Sequence, residues 1–319
     1  MGRTRTLRAY LLLLVLSFAW PRAVIGQSTQ TNVVGLASPE RYAKASRQVE
    51  NSIFWQISGK DLPQSSYLFG TFHLVGARYV DSLVNVMEKF HDSKTLVGEL
   101  LLDSTMTVKM MVAARLHETT LDKLLKPEEY EATAAWLKEL SGYDLKIFNG
   151  MNPMTIQIFL MTMLQQKYFP LQGAADVPMD LYFQQRAKKE GKKLVGLESF
   201  EVQVNALFNQ FTLQRQVEML MEFVNEKEEA KDELIVMNKS YRNGDLSKLE
   251  ELLAIQTYTE QEAKVMLDDR NKKWFQQLPL LMKEQQTFVA VGALHLSGEN
   301  GLVNLFRNAG YIVTPLPSK

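Results

Sequence analysis

The sequence predicts an α/β fold with a central mixed or mostly parallel sheet, flanking helices and a large helical insertion. Short apolar segments typical of strands lie near both ends of the 319-residue chain, and segments with helical spacing fill the middle. The pattern Gly-x-x-His-Leu-x-Gly occurs once in each strand-rich region, at 70–76 and at 292–298. We therefore expect the first and last strands to pair across the helical middle, with the two copies on neighbouring strands.

The chain is expected to enter the sheet through two N-terminal strands. Two short apolar runs, at 52–57 and 66–73, are separated by GKDLPQS, which is typical of a β-hairpin. Residues 81–90 have helical spacing. The segment TLVGEL at 95–100 is a further short strand with an acidic residue near its end.

Helices are expected to dominate about 104–190 and about 201–284. Pro127 and the acidic residues after it begin one helix, since proline and negative charge both favour a first helical turn. The apolar, methionine-rich segment 149–168 is expected to be a buried helix. The other predicted elements are a helix at 180–189, a strand at 192–197, a strand at 288–295, a helix at 301–309 and a strand at 311–315.

Composition limits the function classes. The chain has 36 basic and 36 acidic residues, so nothing in its charge favours nucleic acid as a partner. Residues 1–26 contain a basic start, an apolar run of about a dozen residues, Pro21 and then small residues, which is typical of a cleaved secretory signal peptide. The run is too short to span a bilayer comfortably, although an uncleaved membrane anchor is the alternative.

These features predict the domain organisation and the location. A polar, flexible linker is expected over 27–45, and one domain over 46–319. The chain has no cysteine and hence no lipid-attachment cysteine, so we expect a secreted or periplasmic protein without stable membrane insertion after cleavage. Its stability must come from its core, because no disulfide can form.

Several predicted strands end in a polar side chain that a packed core does not need. They are His73, Glu99, Glu198 and His295. In open α/β sheets, ligands bind beyond the carboxyl ends of the strands, and a preceding glycine lets the chain turn or approach a neighbour closely. Two imidazoles with one or two carboxylates could bind a divalent metal and leave a position open for water. Without a metal, the same groups could act as general base and acid on water.

Each of these residues also has a structural interpretation. A histidine at a strand end is often simply a hydrogen-bonded structural residue, although the duplicated motif weakens that reading for His73 and His295. Glu99 could be a buried acid paired with an arginine, and Glu198 could cap the helix that follows it. The other two histidines, His91 and His117, lie in polar helical surroundings and are expected at the surface.

The ordered set of motifs resembles that of secreted bacterial members of the TraB/PrgY/GumN family, which is related to the Tiki proteases. The resemblance runs from about residue 50 to the end of the chain. It is carried by YLFGTFHL with His73, VGEL with Glu99, MDLYFQQRAKKEGKKLVGLESFEVQ with Asp180, Glu198 and Gln203, YRNGDLSKLEELL, DDRNKKW with Arg270, Asn271 and Trp274, and FVAVGALHLSGENGLVNLFRNAGYIV with His295.

The resemblance implies an α/β core shared with the Tiki and erythromycin-esterase-like groups. In the Tiki relatives, the two Gly-x-x-His motifs and a glutamate belong to a metal-dependent peptidase site. Other members are linked to pheromone shutdown or to plasmid and polysaccharide functions, so membership specifies the site better than the reaction. Members often have Gly-x-Asp where this chain has Pro178-Met179-Asp180, which leaves the role of Asp180 open.

The function predicted from these observations is an exported metal-dependent hydrolase that acts on peptide or amide bonds. His73, Glu99 and His295 are the expected ligands of a divalent ion, which would be Mn, Co or Zn, or the direct catalytic groups. Glu198 is a further candidate, as a ligand or as the base acting on water. Arg270 would orient Glu99 or stabilise an oxyanion. Asp180 and Asn271 are the remaining candidates.

The alternative is a non-catalytic protein that sequesters a peptide or pheromone in the same cleft. If His295 is a ligand or a catalytic group, we expect its ring to face the cleft and to be partly solvated, so that its removal would cost little stability. If His295 is instead a buried structural histidine, its removal would leave partners unpaired and cost on the order of 1–3 kcal/mol.

The N-terminal pattern generates the first testable prediction. We expect the mature protein to begin near Gln27 and to lie outside the cytoplasm, because the basic, apolar and small-residue segments follow one another in the order of a cleaved signal. N-terminal sequencing of the native protein, with cell fractionation, measures both. An intact N-terminus in the cytosolic fraction would contradict the prediction.

Overall fold

The computed structural model describes residues 51–171, 176–254 and 258–319. The predicted signal peptide at 1–26 and linker at 27–45 lie outside the described residues. No helix within the described ranges has both the length and the apolar character needed to cross a membrane.

A six-stranded mixed sheet forms the centre of the fold, as predicted. Its strands, in chain order, are β1 (Phe54–Ser58), β2 (Ser66–Thr71), β3 (Thr95–Gly98), β4 (Lys193–Gly196), β5 (Thr287–Gly292) and β6 (Ile312–Pro315). Their order across the sheet is β4-β3-β5-β2-β1-β6. The pairs β2–β5, β5–β3 and β3–β4 are parallel, and β1 runs antiparallel to both β2 and β6. The first and last strand groups therefore do share one sheet.

The two copies of the heptapeptide lie side by side, as expected. In the β2–β5 pairing, Gly70 is opposite Val291 and Thr71 is opposite Gly292. Both strands are shorter than predicted, because β2 ends at Thr71 and β5 ends at Gly292. His73 lies in the turn after β2, and His295 ends a 3₁₀ turn at Ala293–His295. Each histidine is thus displaced from the end of its strand into the turn, where its side chain can face the sheet's carboxyl edge.

Helices cover the sheet and fill the predicted helical regions. They are α1 (Ala77–Asp81), α2 (Val84–Asp92), α3 (Met106–Ala113), α4 (Leu121–Leu124), α5 (Pro127–Ser141), α6 (Pro153–Tyr168), α7 (Met179–Lys189), α8 (Phe200–Val204), α9 (Leu213–Asn225), α10 (Lys227–Arg242), α11 (Leu246–Ala254), α12 (Glu260–Ala263), α13 (Asp269–Phe275), α14 (Leu278–Glu284) and α15 (Leu302–Asn308). Two π-helical segments, Asn205–Asn209 and Lys264–Asp268, continue α8 and precede α13.

Local chemistry explains where the main helices begin. Pro127 is the first residue of α5, where its missing N–H leaves no bond unmade. The predicted helix at 149–168 begins only at Pro153, because the Asn152 side chain accepts the N–H of Thr155 at 2.8 Å and caps the helix there. The helix is largely buried, as its apolar sequence indicates.

An aromatic cluster packs the sheet against its helices close to the motif strands. Phe288 of β5 lies 5.4 Å from Phe183 of α7 and 5.5 Å from Phe90 of α2, measured between ring centroids, and Phe69 of β2 lies 5.6 Å from Phe183. All four rings are buried. The Phe288–Phe90 and Phe69–Phe183 contacts are edge-to-face. Such pairs contribute about 0.5–1.5 kcal/mol each beyond their area burial, so they stabilise the packing of the two motif strands against the helices.

Gly70 permits the close approach of the two motif copies, and it generates a stability prediction. A Cβ at Gly70 would lie 2.8 Å from the Ala293 Cα and 2.9 Å from the Ala293 Cβ. Since the Cα belongs to the backbone of the turn that carries His295, Gly70→Ala should lower the free energy of unfolding by about 1–3 kcal/mol. Chemical denaturation measures this change.

Gly98→Ala is the matched control, because Gly98 also lies on a central parallel strand. The nearest atom to its added methyl would be 3.7 Å away, which is ordinary contact. Equal stability losses in the two variants would show that the approach at Ala293 is not what requires glycine at position 70.

Candidate functional site

His73 is held at one nitrogen and unpartnered at the other. Its Nδ1 lies 2.5 Å from Asp180 Oδ2, and the second oxygen of Asp180 accepts the Thr71 hydroxyl at 2.9 Å. His73 Nε2 is buried and has no hydrogen-bond partner among the residues that the structure describes. Such an atom costs about 1–3 kcal/mol, so a native protein that retains one usually has a functional reason.

The His73–Asp180 pair is electrostatically coupled. Burial lowers the pKa of His73, but the adjacent Asp180 carboxylate and its hydrogen bond outweigh burial and raise the pKa to about 9. Burial raises the pKa of Asp180, but the His73 charge and hydrogen bond outweigh burial and lower it. The pair is thus an imidazolium–carboxylate at neutral pH when nothing else binds Nε2. Asp180, whose role the sequence left open, contacts the first histidine directly.

His295 lies deeper and in a different electrostatic setting. Its side chain is 0% exposed, and its ring centroid lies 4.3 Å from that of Trp274. Asn271 Nδ2 donates to the carbonyl of Asn300 at 3.0 Å, which turns Asn271 Oδ1 towards His295 Nδ1 at 2.7 Å. Nδ1 is therefore the donor, and Nε2 carries a lone pair. Burial, together with the charges of Arg270 and His73, lowers the pKa of His295 well below its ordinary value.

The expectation of a partly solvated His295 is wrong. The ring is enclosed because the 3₁₀ turn after β5 directs it inward, between α13 and the neighbouring strands. Replacing it with alanine would leave a cavity beside Trp274 and leave the amide oxygen of Asn271 without its donor. A loss of about 1–3 kcal/mol from the unpaired group alone is the appropriate expectation.

Arg270, on α13, connects the polar groups of three strands. Its Nη2 donates to Glu99 Oε2 and Glu198 Oε1, both at 2.6 Å, and its Nε donates to Glu198 Oε2 at 3.0 Å. Its Nη1 donates to the Met266 carbonyl and to His295 Nε2, both at 3.1 Å. The side chain is 3% exposed. Every N–H of the guanidinium therefore has an acceptor within the protein, which favours the orienting role predicted for Arg270 over direct contact with an oxyanion.

Glu99 and Glu198 occupy different sides of Arg270. Glu99 directly follows β3, and its Oε1 accepts the backbone N–H of Gly292 at 2.8 Å and lies 3.8 Å from His295 Nε2. Glu198 follows β4, and its Oε2 also accepts the Trp274 indole N–H at 3.2 Å. Burial raises the pKa of Glu198, while Arg270 opposes that effect. Glu99 thus faces the histidines, whereas Glu198 faces the guanidinium and the indole.

The candidate site residues surround the position that a side chain on Gly292 would occupy. A Cβ at that position would lie 3.2 Å from Glu99 Oε1, 3.5 Å from His73 Nε2 and 3.6 Å from His295 Cδ2. The two histidines and Glu99 therefore border one small space at the carboxyl edge of β2, β3 and β5. The most exposed of these side chains are His73, at 10%, and its partner Asp180, at 20%, so the space opens on their side.

The structure shows the surroundings on which each structural alternative depends. Glu99 is indeed paired with an arginine, but it also faces both histidines. Glu198 does not cap α8, whose N-cap is Ser199. His91 lies at the surface, where its Nδ1 is 2.9 Å from Glu190 Oε1, and His117 is exposed.

Thr71 and Trp274 contact these groups but were not predicted as site residues, and the motif glycine Gly292 was predicted only to allow a turn or a close approach. Thr71 lies two residues before His73 within the first motif copy, and Trp274 lies one helical turn after Arg270 in a motif of the resemblance. Those positions were the signals available for them.

With this geometry established, comparison with known proteins identifies the family. The sequence model of the TraB/PrgY/gumN family matches residues 53–315, and the chain belongs to this family. The match includes every strand and all of the candidate site residues. No curated protein and no solved structure is significantly similar to the chain.

The His73–Asp180 pair predicts a pH-dependent contribution to stability in the metal-free protein. The folded pKa of His73 is about 9, above the ordinary value of 6.5, so this contribution is complete below about pH 6.5 and is lost as the pH rises through 9. Asp180 has a folded pKa below its ordinary 3.8, so its contribution is present above that value and is lost as the pH falls through the folded pKa. Asp180→Asn should therefore destabilise most between about pH 4 and 6.5, by on the order of 1–3 kcal/mol.

Unfolding in the presence of chelator, measured from pH 5 to pH 10, tests this window. The gap between wild type and Asp180→Asn should narrow between about pH 6.5 and pH 9 and level off at higher pH. Asp61→Asn is the control, because Asp61 lies in the exposed β1–β2 turn and should show no such gap. A gap that stays constant up to pH 10 would mean that Asp180 stabilises the fold without holding a proton on His73.

Proposed function

We propose that this protein is an exported metal-dependent hydrolase that cleaves peptide or amide bonds at the space bordered by His73, Glu99 and His295. The observation that carries the proposal is the buried, unpartnered Nε2 of His73, which borders the same space as Glu99 Oε1. A buried nitrogen without a partner, beside a carboxylate oxygen, is suited to a ligand that the protein's own groups do not replace.

The donor set fits a divalent ion of the Mn, Co or Zn type. Two imidazole nitrogens and a carboxylate oxygen are the ligand types such ions accept. The far nitrogen of each histidine is held by an oxygen acceptor, from Asp180 and from Asn271, and this second contact is usual for metal-ligating histidines. The family resemblance to the Tiki proteases, which remains a prediction, points to the same residues.

One rearrangement separates the described arrangement from a complete metal centre. Within the described ranges, no three His, Asp or Glu side chains already form a metal-binding group. Arg270 Nη1 donates to His295 Nε2, so this bond has to be released before His295 can coordinate an ion. An ion at His73 Nε2 also has to displace the proton that Asp180 favours, so its affinity should rise with pH.

The residues of the chain then have distinct tasks. His73 Nε2, Glu99 Oε1 and His295 Nε2 would hold the ion, and a bound ion of this class activates a water molecule and polarises the substrate carbonyl. Asp180 and Asn271 set the orientation of the two rings. Arg270 balances the charge of Glu99 and keeps its second oxygen directed away from the ion. Both oxygens of Glu198 already accept hydrogen bonds from Arg270, and one also accepts the indole N–H of Trp274. Glu198 and Trp274 would therefore position Arg270.

The main test combines metal content with turnover. Protein purified without chelator should contain a divalent ion and should cleave members of a peptide library. His73→Gln should reduce kcat/KM by roughly 10²–10⁴-fold and lower the metal content, because it removes the unpartnered donor. His117→Gln is the matched control at an exposed histidine and should change neither quantity.

The result also separates the enzyme from a binding protein. Peptides that bind in the cleft without being cleaved, with each of the three metals supplied, would contradict the hydrolase and support sequestration. Equal turnover by wild type and His73→Gln would show that the chemistry lies elsewhere in the molecule.

A further inference from the structure

A second cavity begins at the residue that follows His73. Its volume is ≈ 260 Å³, and its walls come from the loop Leu74–Gly76, from α1, from the end of α6 and from the end of α10. Gln165 of α6 fixes the loop by donating to the Leu74 carbonyl at 3.1 Å. This volume is just below the range of roughly 300–1,000 Å³ typical of drug-sized ligands, so the cavity would accept one terminal residue of a larger ligand.

Arg242, the last residue of α10, is held in place at the cavity. Its Cζ lies 4.7 Å from the centroid of the Tyr79 ring, and the Tyr79 hydroxyl donates to the Arg242 carbonyl at 3.2 Å. Stacking restricts the guanidinium plane while leaving its N–H edge free to donate. In the part of the chain that the structure describes, no carboxylate pairs with Arg242.

Arg242 is the cation at this cavity to which a ligand would bind. Arg78 and Asp176 also line the cavity, but each has partners of its own. Asp176 is buried, and its Oδ1 accepts the Arg78 N–H at 3.0 Å beside Gly76. The wall also contains apolar side chains, among them Phe169 and Leu171. The cavity therefore combines an oriented guanidinium with an apolar surface.

We propose that this cavity binds the terminal carboxylate of a peptide, with the carboxylate on Arg242 and the terminal side chain against Phe169 and Leu171. An arginine fork matches a carboxylate in two parallel hydrogen bonds, which gives both energy and direction. The cavity is lined by Leu74, the residue after His73, so the peptide in this proposal extends from the cavity towards the site. The subsite role rests on the proposed hydrolysis, whereas the carboxylate binding does not.

Equilibrium binding tests the carboxylate contact without any turnover. The probes are N-acetyl-Leu-Phe with a free carboxylate and the same dipeptide as its carboxamide, titrated into the metal-free full chain at low ionic strength. The acid should bind at least about tenfold more tightly than the amide, as expected for loss of a charge-assisted bidentate contact. Equal affinity of acid and amide for the wild-type protein would overturn the proposal, whatever the variants show.

Variants then locate the contact. Arg242→Gln should remove the preference for the acid, and Arg242→Lys should keep only part of it, since an ammonium group lacks the fork. Arg115→Gln is the matched control, because Arg115 is also an exposed arginine but does not line the cavity. Its backbone forms an isolated β-bridge with Met151, just before the other end of α6. An unchanged preference in Arg242→Gln would overturn the assignment to Arg242. Displacement of the acid by inorganic phosphate at equal concentration would overturn the choice of a carboxylate.

Turnover separates this inference from the hydrolase proposal. If the wild type cleaves peptides, free-acid substrates should have a KM about tenfold below that of their amides, and Arg242→Gln should abolish this difference while kcat is retained. Cleavage of acids and amides with equal KM would refute the subsite but not the hydrolase. Arg242-dependent binding of the acid without any cleavage would refute the hydrolase and leave the carboxylate site standing.

Discussion

The buried guanidinium of Arg270 holds the carboxyl edge of the sheet together. It bonds to Glu99 after β3, to Glu198 after β4 and to His295 after β5, so three neighbouring strands are linked through one side chain of α13. A buried cation of this kind is tolerated only where its charge and all its donors are satisfied, and two carboxylates and two further acceptors achieve this here. Removal of one partner would leave an uncompensated buried charge, which typically costs about 3–5 kcal/mol. The position of α13 and the ends of three strands thus depend on one another.

This link also sets the geometry of the candidate site. Because Arg270 takes one oxygen of Glu99 and the Gly292 N–H takes the other, the carboxylate has a single orientation towards the histidines. Glycines at positions 70 and 292 allow the strands and turns to approach closely enough for the three groups to border one space. In the proposed function, coordination of an ion by His295 would compete with its bond to Arg270, so metal affinity and the stability of this edge would be coupled.

The two copies of the heptapeptide have the same residues but opposite electrostatic roles. His73 lies near the opening, beside the carboxylate of Asp180, and readily carries a proton. His295 lies inside, beside the cation Arg270, and remains neutral. Neighbouring charges, which come from α7 and α13 and not from the motif, decide this difference. The site therefore contains one neutral imidazole and one that carries a proton, which a ligand at that nitrogen would have to displace. The repeated motif gives no indication of this difference.

The sequence by itself determined the α/β class, the strand-rich ends with their helical middle, and the identity of the polar residues at the strand ends. Those features follow from local periodicity and from residue types that a core does not require, both of which can be read along the chain. Only the tertiary structure decided that His295 is fully buried, that Glu198 faces Arg270 and not the histidines, that Asp180 holds His73, and that a guanidinium stands beside the proposed metal position. These depend on which side chains meet across sequence separations of 25 to 171 residues, as in Arg270–His295 and Arg270–Glu99. Such contacts arise from strand order and helix packing, which no local pattern encodes.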